Sequence, residues 1–568
     1  MTDRSSRTPS VSRRAALLAG GATVLASCGR GDQTPPPGAA APFAHGVASG
    51  DPLADRVILW TRVTSPDGRA VDAAWTVARD AELTDVVAQG VARADPDRDW
   101  TAKVDVTELE PGTEYFYAFD ALDARSPVGR TRTLPQGPTE RCEIAVVSCA
   151  NYPAGWFNVY RDIADRGEAD FVVQLGDYFY EYGPGEYATE WGASHGRIPD
   201  PPHETVNLRD YRTRYAQYRA DADLQDAHAA APWIAIWDDH ESANNSFATG
   251  ADNHQPDEGE WSARKTAAIR AFFEWMPIRE PEPGRAREAI WRAFEIGDLA
   301  TLIMLETRLT ARSREIFWDE APIPPDADPD DPANHEALEG FMADVVGAPE
   351  REMLGAGQLG FIAEALARSK AAGKPWQVLG NQVMMARVFA PNYVEELPGW
   401  LKWVVRRQYP NEYKLLQFSR FRVPLSLDQW DGFPAERERL YAAARDADAQ
   451  LLTLTGDSHC FWMNRLADGQ GEVRGVEIGT SSVTSPSEFN QVAAPGVNFG
   501  ALTEAANDEV LHHNAYDRGY VALTLTRDAA TAELRRVNTI ERRNFRTEPY
   551  ARWRIAPNAE GALEAVEE

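Results

Sequence analysis

Phe171-Val172-Val173-Gln174-Leu175, followed at once by Gly176-Asp177-Tyr178-Phe179-Tyr180, decides how the chain is read. A short, mostly apolar run closed by a turn residue is the pattern of a buried strand. Buried strands of α/β proteins present functional side chains at their carboxyl ends. The same arrangement recurs three times. Ile144-Ala145-Val146-Val147 leads to Ser148-Cys149, Trp233-Ile234-Ala235-Ile236 leads to Trp237-Asp238-Asp239-His240-Glu241, and Leu451-Leu452-Thr453-Leu454 leads to Gly456-Asp457-Ser458-His459.

Taken singly each signature is weak, since an Asp after a Gly ordinarily forms a turn and a buried Cys ordinarily packs as a small hydrophobe. Together they place thiol, carboxylate, phenol and imidazole at four strand ends. Carboxylates and imidazoles suit hard or borderline cations, whereas thiolate and phenolate favour softer or more oxidised ones. The mixture predicts a centre holding unlike metals.

These motifs, with Phe43-Ala44-His45-Gly46-Val47-Ala48-Ser49-Gly50-Asp51-Pro52, Leu59-Trp60-Thr61-Arg62, Asn244-Asn245, Leu379-Gly380-Asn381-Gln382, Trp430-Asp431-Gly432-Phe433-Pro434 and Gly479-Thr480-Ser481-Ser482, resemble the PhoD-like alkaline phosphatase and phosphodiesterase family. The resemblance runs in order from residue 43 to about residue 540. It implies an α/β fold, the four-layer metallophosphatase sandwich of two mixed sheets flanked by helices. It also implies hydrolysis of phosphate mono- and diesters, with ferric iron beside calcium.

The residues matching the family's iron ligands are Cys149, Asp177, Tyr180 and Asp457, with Asp177 placed to bridge. Thiolate and phenolate stabilise ferric iron, and a trivalent ion lowers the pKa of a bound water, so that its oxygen can attack phosphorus without a protein nucleophile. His459 and Asp239 or Asn245 are candidates for the second cation. Adjacent Asp238 and Asp239 repel unless one faces a cation; Asp238 reads equally as a helix cap. His240 stands where related enzymes carry an Asn-His pair, and is assigned to stabilising the transition state or protonating the leaving oxygen. Arg308, after an apolar run, is assigned to a phosphate oxygen. The family commonly has Asp where Glu306 stands.

Four regions are expected. Residues 1–41 hold a twin-arginine signal, Ser12-Arg13-Arg14, and a Gly/Pro/Ala-rich tether. Leu25-Ala26-Ser27-Cys28 resembles a lipobox, which would anchor the protein to a membrane through lipidated Cys28; cleavage near Ala39-Ala40-Ala41 is the alternative. Residues 42–135 alternate apolar and polar in short runs, as a β-sandwich similar to fibronectin type III modules does. Residues 140–545 form the catalytic domain, with helices expected at 155–166, 208–220 and 261–275. Residues 546–568 are expected to be a tail. Location outside the cytoplasm, periplasmic or at the cell surface, follows from the signal.

The net charge is −29. Such acidity disfavours nucleic acid and anionic lipid as primary partners and requires a local cationic pocket for a phosphate substrate, which metal can supply. A monomer is expected. Without Cys28 three cysteines remain, an odd number, which leaves Cys149 free for metal even if Cys142 pairs with Cys460. Access could be shaped by the segment 183–202 and by 398–407, which interleaves aromatics with cations as a lid, a lipid-facing patch or a packed helix. A phospholipase D-like diesterase is the alternative chemistry, and a non-catalytic surface lipoprotein the alternative of another class.

Overall fold

The computed structural model describes residues 42–568. The expected twin-arginine signal, Cys28 and the expected tether lie outside the described residues. Parallel strands Arg141–Val147, Phe171–Gln174 and Trp233–Ala235 lie side by side in a ten-stranded sheet. Leu451–Thr455 lies in a seven-stranded sheet between Trp376–Gly380 and Val473–Gly479. The strands expected near 299–305 and 376–379 are Ala300–Met304 and Trp376–Gly380 in that second sheet.

Apolar residues from both sheets, among them Val146, Val173, Ile234, Leu302, Val378 and Leu452, share one buried core. Continuous Val/Ile/Leu runs are what strands covered on both faces require. Ile303, Leu379 and Leu451 of the second sheet pack instead with Ile362 and Leu366 of helix Gly355–Ala371 and Leu440 of helix Pro434–Asp446. Helices therefore cover the outer faces, giving the expected layered sandwich.

The helices follow local signals. Leu208–Arg219 is capped by the Asn207 side chain, which accepts from the N–H groups of Arg209 and Asp210, a contribution of about 1 kcal/mol. Trp261–Trp275 has the expected bounds. The helix expected from 155 begins at Asn158, because Gly155 is fully extended at φ 174° and packs against Ile540.

Two boundaries differ from expectation. Strands Val47–Gly50, Val57–Arg62 and Thr101–Val106 of the N-terminal sandwich continue the ten-stranded sheet through Gly50, which pairs with Trp233. The sandwich's other sheet is built from Val71–Ala78, Val86–Ala94 and Glu114–Ala121, with two short strands. The expected tail is instead strand: Thr547–Pro557 and Leu563–Glu567 form the opposite edge of the ten-stranded sheet, with Trp553 and Ile555 buried. Inward alternation at Ala551, Trp553 and Ile555 drives that pairing. Cys142, Cys149 and Cys460 are buried and unpaired, so no Cys142–Cys460 bridge forms.

Candidate metal centre

The two sheets meet at the carboxyl ends of the four signature strands. A Cβ on Gly456 would lie 2.3 Å from Ser148 Oγ, and one on Gly176, at φ +107°, would lie 2.3 Å from Asp238 Cβ. Glycine at both positions lets the strand ends approach this closely. The chain then turns sharply. Cys149 (φ 61°), Asp177 (55°), Asn245 (51°), Asp457 (56°) and His459 (59°) are all left-handed. Each such residue bearing a Cβ costs about 1–2 kcal/mol, and strain of this kind collects at functional sites.

Three groups of donor atoms lie within 4.8 Å of one another: Cys149, Asp177 and His459; Asp177, Asp239 and His240; and Asp177, Asp238, Asp239 and Asp457. Asp177 belongs to all three. Asp177 Oδ1, Asp238 Oδ2 and Asp239 Oδ1 are buried with no hydrogen-bond partner among the described residues. Carboxylate oxygens are rarely left so. The donor set and these orphaned oxygens fit bound cations.

Electrostatics agree. Burial first, then neighbouring carboxylates, push the Cys149 thiol and Asp238 upward, although Arg308 pulls the other way at Asp238. Burial likewise raises Asp177 and Asp457, opposed by His240 and Arg308 respectively. Burial acts upward on Asp239 too, but Arg308 and His240 outweigh it and hold that carboxyl at about 2. Negative groups crowded beyond their compensation are what a cation relieves.

Other residues aim these donors. The Pro486 carbonyl lies 2.9 Å from His459 Nδ1, while Tyr180 Oη lies 2.9 Å from His459 Nε2 and donates to Asp177 Oδ2 at 2.9 Å. A backbone carbonyl holding one imidazole nitrogen is the usual way to orient a ligating histidine. The Asn245 N–H donates to Asp239 Oδ2 at 2.6 Å and its amide to Glu315 Oε2 at 2.7 Å. Trp237 and Tyr178 are buried, the first donating to Glu306 Oε1 at 2.9 Å.

Arg308 does not hold the role expected from sequence. It has no exposed surface, and its guanidinium is engaged by Asp238, by Asp428 at 2.9 Å and by Asp457 at 3.4 Å. With its donors committed to carboxylates, it neutralises the acidic cluster from behind rather than meeting a phosphate. Sequence reasoning also missed Asp428 and Glu181. Glu181 was legible only as the residue after Tyr180, and Asp428 carried no signal beyond a loop acid ahead of Trp430.

A cavity of about 350 Å³ opens onto the cluster. Asp239, His240, Asn245, Asp457 and His459 lie on its wall with Glu315, Asp428, Glu488, Tyr182, Tyr187, Trp462 and Phe489. Neither lysine nor arginine is among its described lining residues. The segment 183–202 contributes Tyr187, whose hydroxyl lies 3.2 Å from His459 Nδ1. Segment 398–407 lies almost wholly in helix Gly399–Gln408, whose Leu401 and Val405 pack inward while Trp400 and Trp403 remain 54% and 61% exposed.

Two mixed sheets flanked by helices, with this donor cluster at their strand ends, define a phosphoric ester hydrolase of the metallophosphatase fold. The profile of the PhoD-like phosphatases matches residues 144–534, and that of the PhoD-like phosphatase N-terminal domain matches residues 30–135. Alkaline phosphatase D of Bacillus subtilis (strain 168) is 33% identical over 514 residues, covering 85% of this chain and 76% of that protein. The chain belongs to the PhoD-like phosphatase family. A solved structure of PhoD superposes with a TM-score of 0.74 at 30% identity, covering 92% of each chain. The purple acid phosphatase PPD1 of yellow lupin (Lupinus luteus) superposes at 0.52 with 14% identity, over 92% of this chain and 76% of its own, a likeness of fold alone.

Proposed function

We propose that this protein is an exported alkaline phosphatase and phosphodiesterase whose centre holds ferric iron through Cys149, Asp177, Tyr180 and Asp457, and calcium through His459, Asp239 and Asn245. One observation carries the metal requirement. The cavity that must receive an anionic ester is walled by Asp239, Glu315, Asp428, Asp457 and Glu488, with no cationic Lys or Arg among its described lining residues. Without bound cations it would repel its substrate.

The metals, when bound, supply Lewis acidity and positive charge at the phosphoryl oxygens. The chain's own residues do the rest. Glu181 Oε2 fixes His240 through Nδ1 at 2.7 Å, leaving Nε2 to deliver a proton to the departing oxygen. Arg308 pairs with Asp238 and Asp457 at the rear of the site. Trp462, Phe489, Met384 and Leu425 offer apolar wall to the organic part of the ester.

Export is supported by Ser12-Arg13-Arg14, and a lipid anchor by Leu25-Ala26-Ser27-Cys28. The exposed Trp400 and Trp403, on a helix carrying Lys402, Arg406 and Arg407, favour a second reading in which a phospholipid diester is met at a membrane surface. Metal analysis and visible absorption of the purified protein, with turnover of p-nitrophenyl phosphate, its bis ester and phospholipid vesicles, test both. Ferric iron, colour and hydrolysis of the small esters are expected, and Cys149→Ala should lose iron while remaining folded. A colourless, iron-free protein inactive on all three would refute the proposal.

A further inference from the structure

Arg219 ends helix Leu208–Arg219, has no exposed surface, and meets no carboxylate among the described residues. Its Nε, Nη1 and Nη2 have no hydrogen-bond partner there, and its guanidinium stacks 4.3 Å above the Trp60 ring. The acid nearest in sequence, Asp221, is taken by Arg197 at 2.6 Å and by capping the next helix. A buried guanidinium with no counter-charge is strongly unfavourable. Something besides protein must compensate it.

The groups around it are also unpartnered. His45 Nδ1, Ser49 Oγ, Tyr117 Oη and His228 Nδ1 are all buried without a hydrogen bond among the described residues. Tyr178 Oη, 2.9 Å from His228 Nε2, faces Arg219 as well. Burial foremost, then Arg62 and Arg219, hold His45 down at about 3; burial and then Arg219 hold His228 well below the usual imidazole range. Both rings are therefore neutral; with His228 Nε2 accepting the Tyr178 hydroxyl, the Nδ1–H of His228 and one N–H of His45 are left to give. His45, Ser49 and Tyr117 come from the N-terminal sandwich, while Tyr178, Arg219 and His228 come from the catalytic domain.

We infer that Arg219, the hydroxyls of Ser49 and Tyr117, and the imidazoles of His45 and His228 enclose a bound monovalent anion of the halide class, chloride in the native protein. The site offers one fixed positive charge and otherwise neutral donors. A single negative charge balances it, whereas a phosphate or sulfate dianion would bring unpaired charge among Trp60, Trp233 and Trp275. Held by groups from both parts of the chain, the anion fastens the sandwich to the catalytic domain independently of the metal centre.

Crystals of the full chain grown in sodium bromide test this through anomalous scattering, together with thermal unfolding in sodium chloride against sodium gluconate at equal ionic strength. An anomalous peak in contact with the Arg219 guanidinium is expected, with an unfolding midpoint raised by about 2 °C or more in chloride. Arg219→Met should lose that chloride increment. Density explained by water alone, with no bromide peak at Arg219, would overturn the inference, and so would an increment unchanged in Arg219→Met. Should the variant fail to fold, the bromide map of the native chain decides.

Discussion

Glu181 Oε2 lies 2.7 Å from His240 Nδ1, with both side chains buried. Burial disfavours the imidazolium, but Asp239, Asp177 and Glu181 together outweigh it and hold His240 well above the usual imidazole value. Glu181 also accepts from Asn253 Nδ2 at 2.7 Å and from the Asn244 N–H at 2.8 Å, so its own orientation is locked. Glu181→Gln should therefore lower kcat about 10–100-fold with little change in KM, measured on p-nitrophenyl phosphate. An unaltered kcat would show that His240 needs no orienting carboxylate.

Asp177 is common to every donor group, and burial foremost, then the carboxylates of Asp239, Glu241 and Asp457, disfavour its charge against the pull of His240. Chelation should lower the unfolding midpoint of the native protein. Asp177→Asn keeps a residue that tolerates the left-handed backbone while deleting one charge. Its metal-stripped form should be at least as stable as the stripped native protein, yet gain less on reloading with metal. Equal gains in differential scanning calorimetry would remove Asp177 from the ligand set.

Arg308 compensates Asp238, Asp428 and Asp457 from a fully buried position. Arg308→Met leaves those carboxylates facing one another and should cost about 3–5 kcal/mol in urea unfolding. A variant of undiminished stability whose KM for phosphate esters rises would instead return Arg308 to contact with substrate.

Glu477, in strand Val473–Gly479, accepts from the N–H groups of Met385 at 2.6 Å and Ala386 at 3.1 Å, and from Asn464 at 2.8 Å. Burial outweighs these bonds and pushes its carboxyl up to about 7. The native state keeps this proton up to about pH 7, whereas the unfolded chain releases it near its ordinary value of about 4.3. Native protein thus binds more protons in between, and stability falls as pH rises through that window, by on the order of 3 kcal/mol, then levels off. Glu477→Gln should abolish this component, read as urea midpoints at pH 5 and pH 7.5. A variant with the native slope would place the titration elsewhere.

The four strand ends and their metal-type residues were legible because each apolar run and its terminal signature are contiguous, so local chemistry carries the message. Trp261–Trp275 and the strands near 300 and 376 were legible for the same reason. The role of Arg308 was not. Its partner Asp428 lies 120 residues away, and nothing local distinguishes an arginine spent on buried carboxylates from one free for phosphate. Thr547–Pro557 was read as a tail although its inward Ala551, Trp553 and Ile555 alternate, since the partner strand that makes alternation meaningful is set by the fold.

By itself the sequence determined the class of fold, the family resemblance and the residue types that gather at the strand ends, because hydrophobic period and turn chemistry act over a few residues. Tertiary structure alone decided which charges meet. It joined the sandwich to the catalytic sheet through Gly50 and Trp233, set Glu181 on His240, and sealed Arg219 among unpaired donors from both parts of the chain. Electrostatic and hydrogen-bond partners depend on distance in space and on exclusion of water, and neither quantity is written in the spacing of residues along the chain.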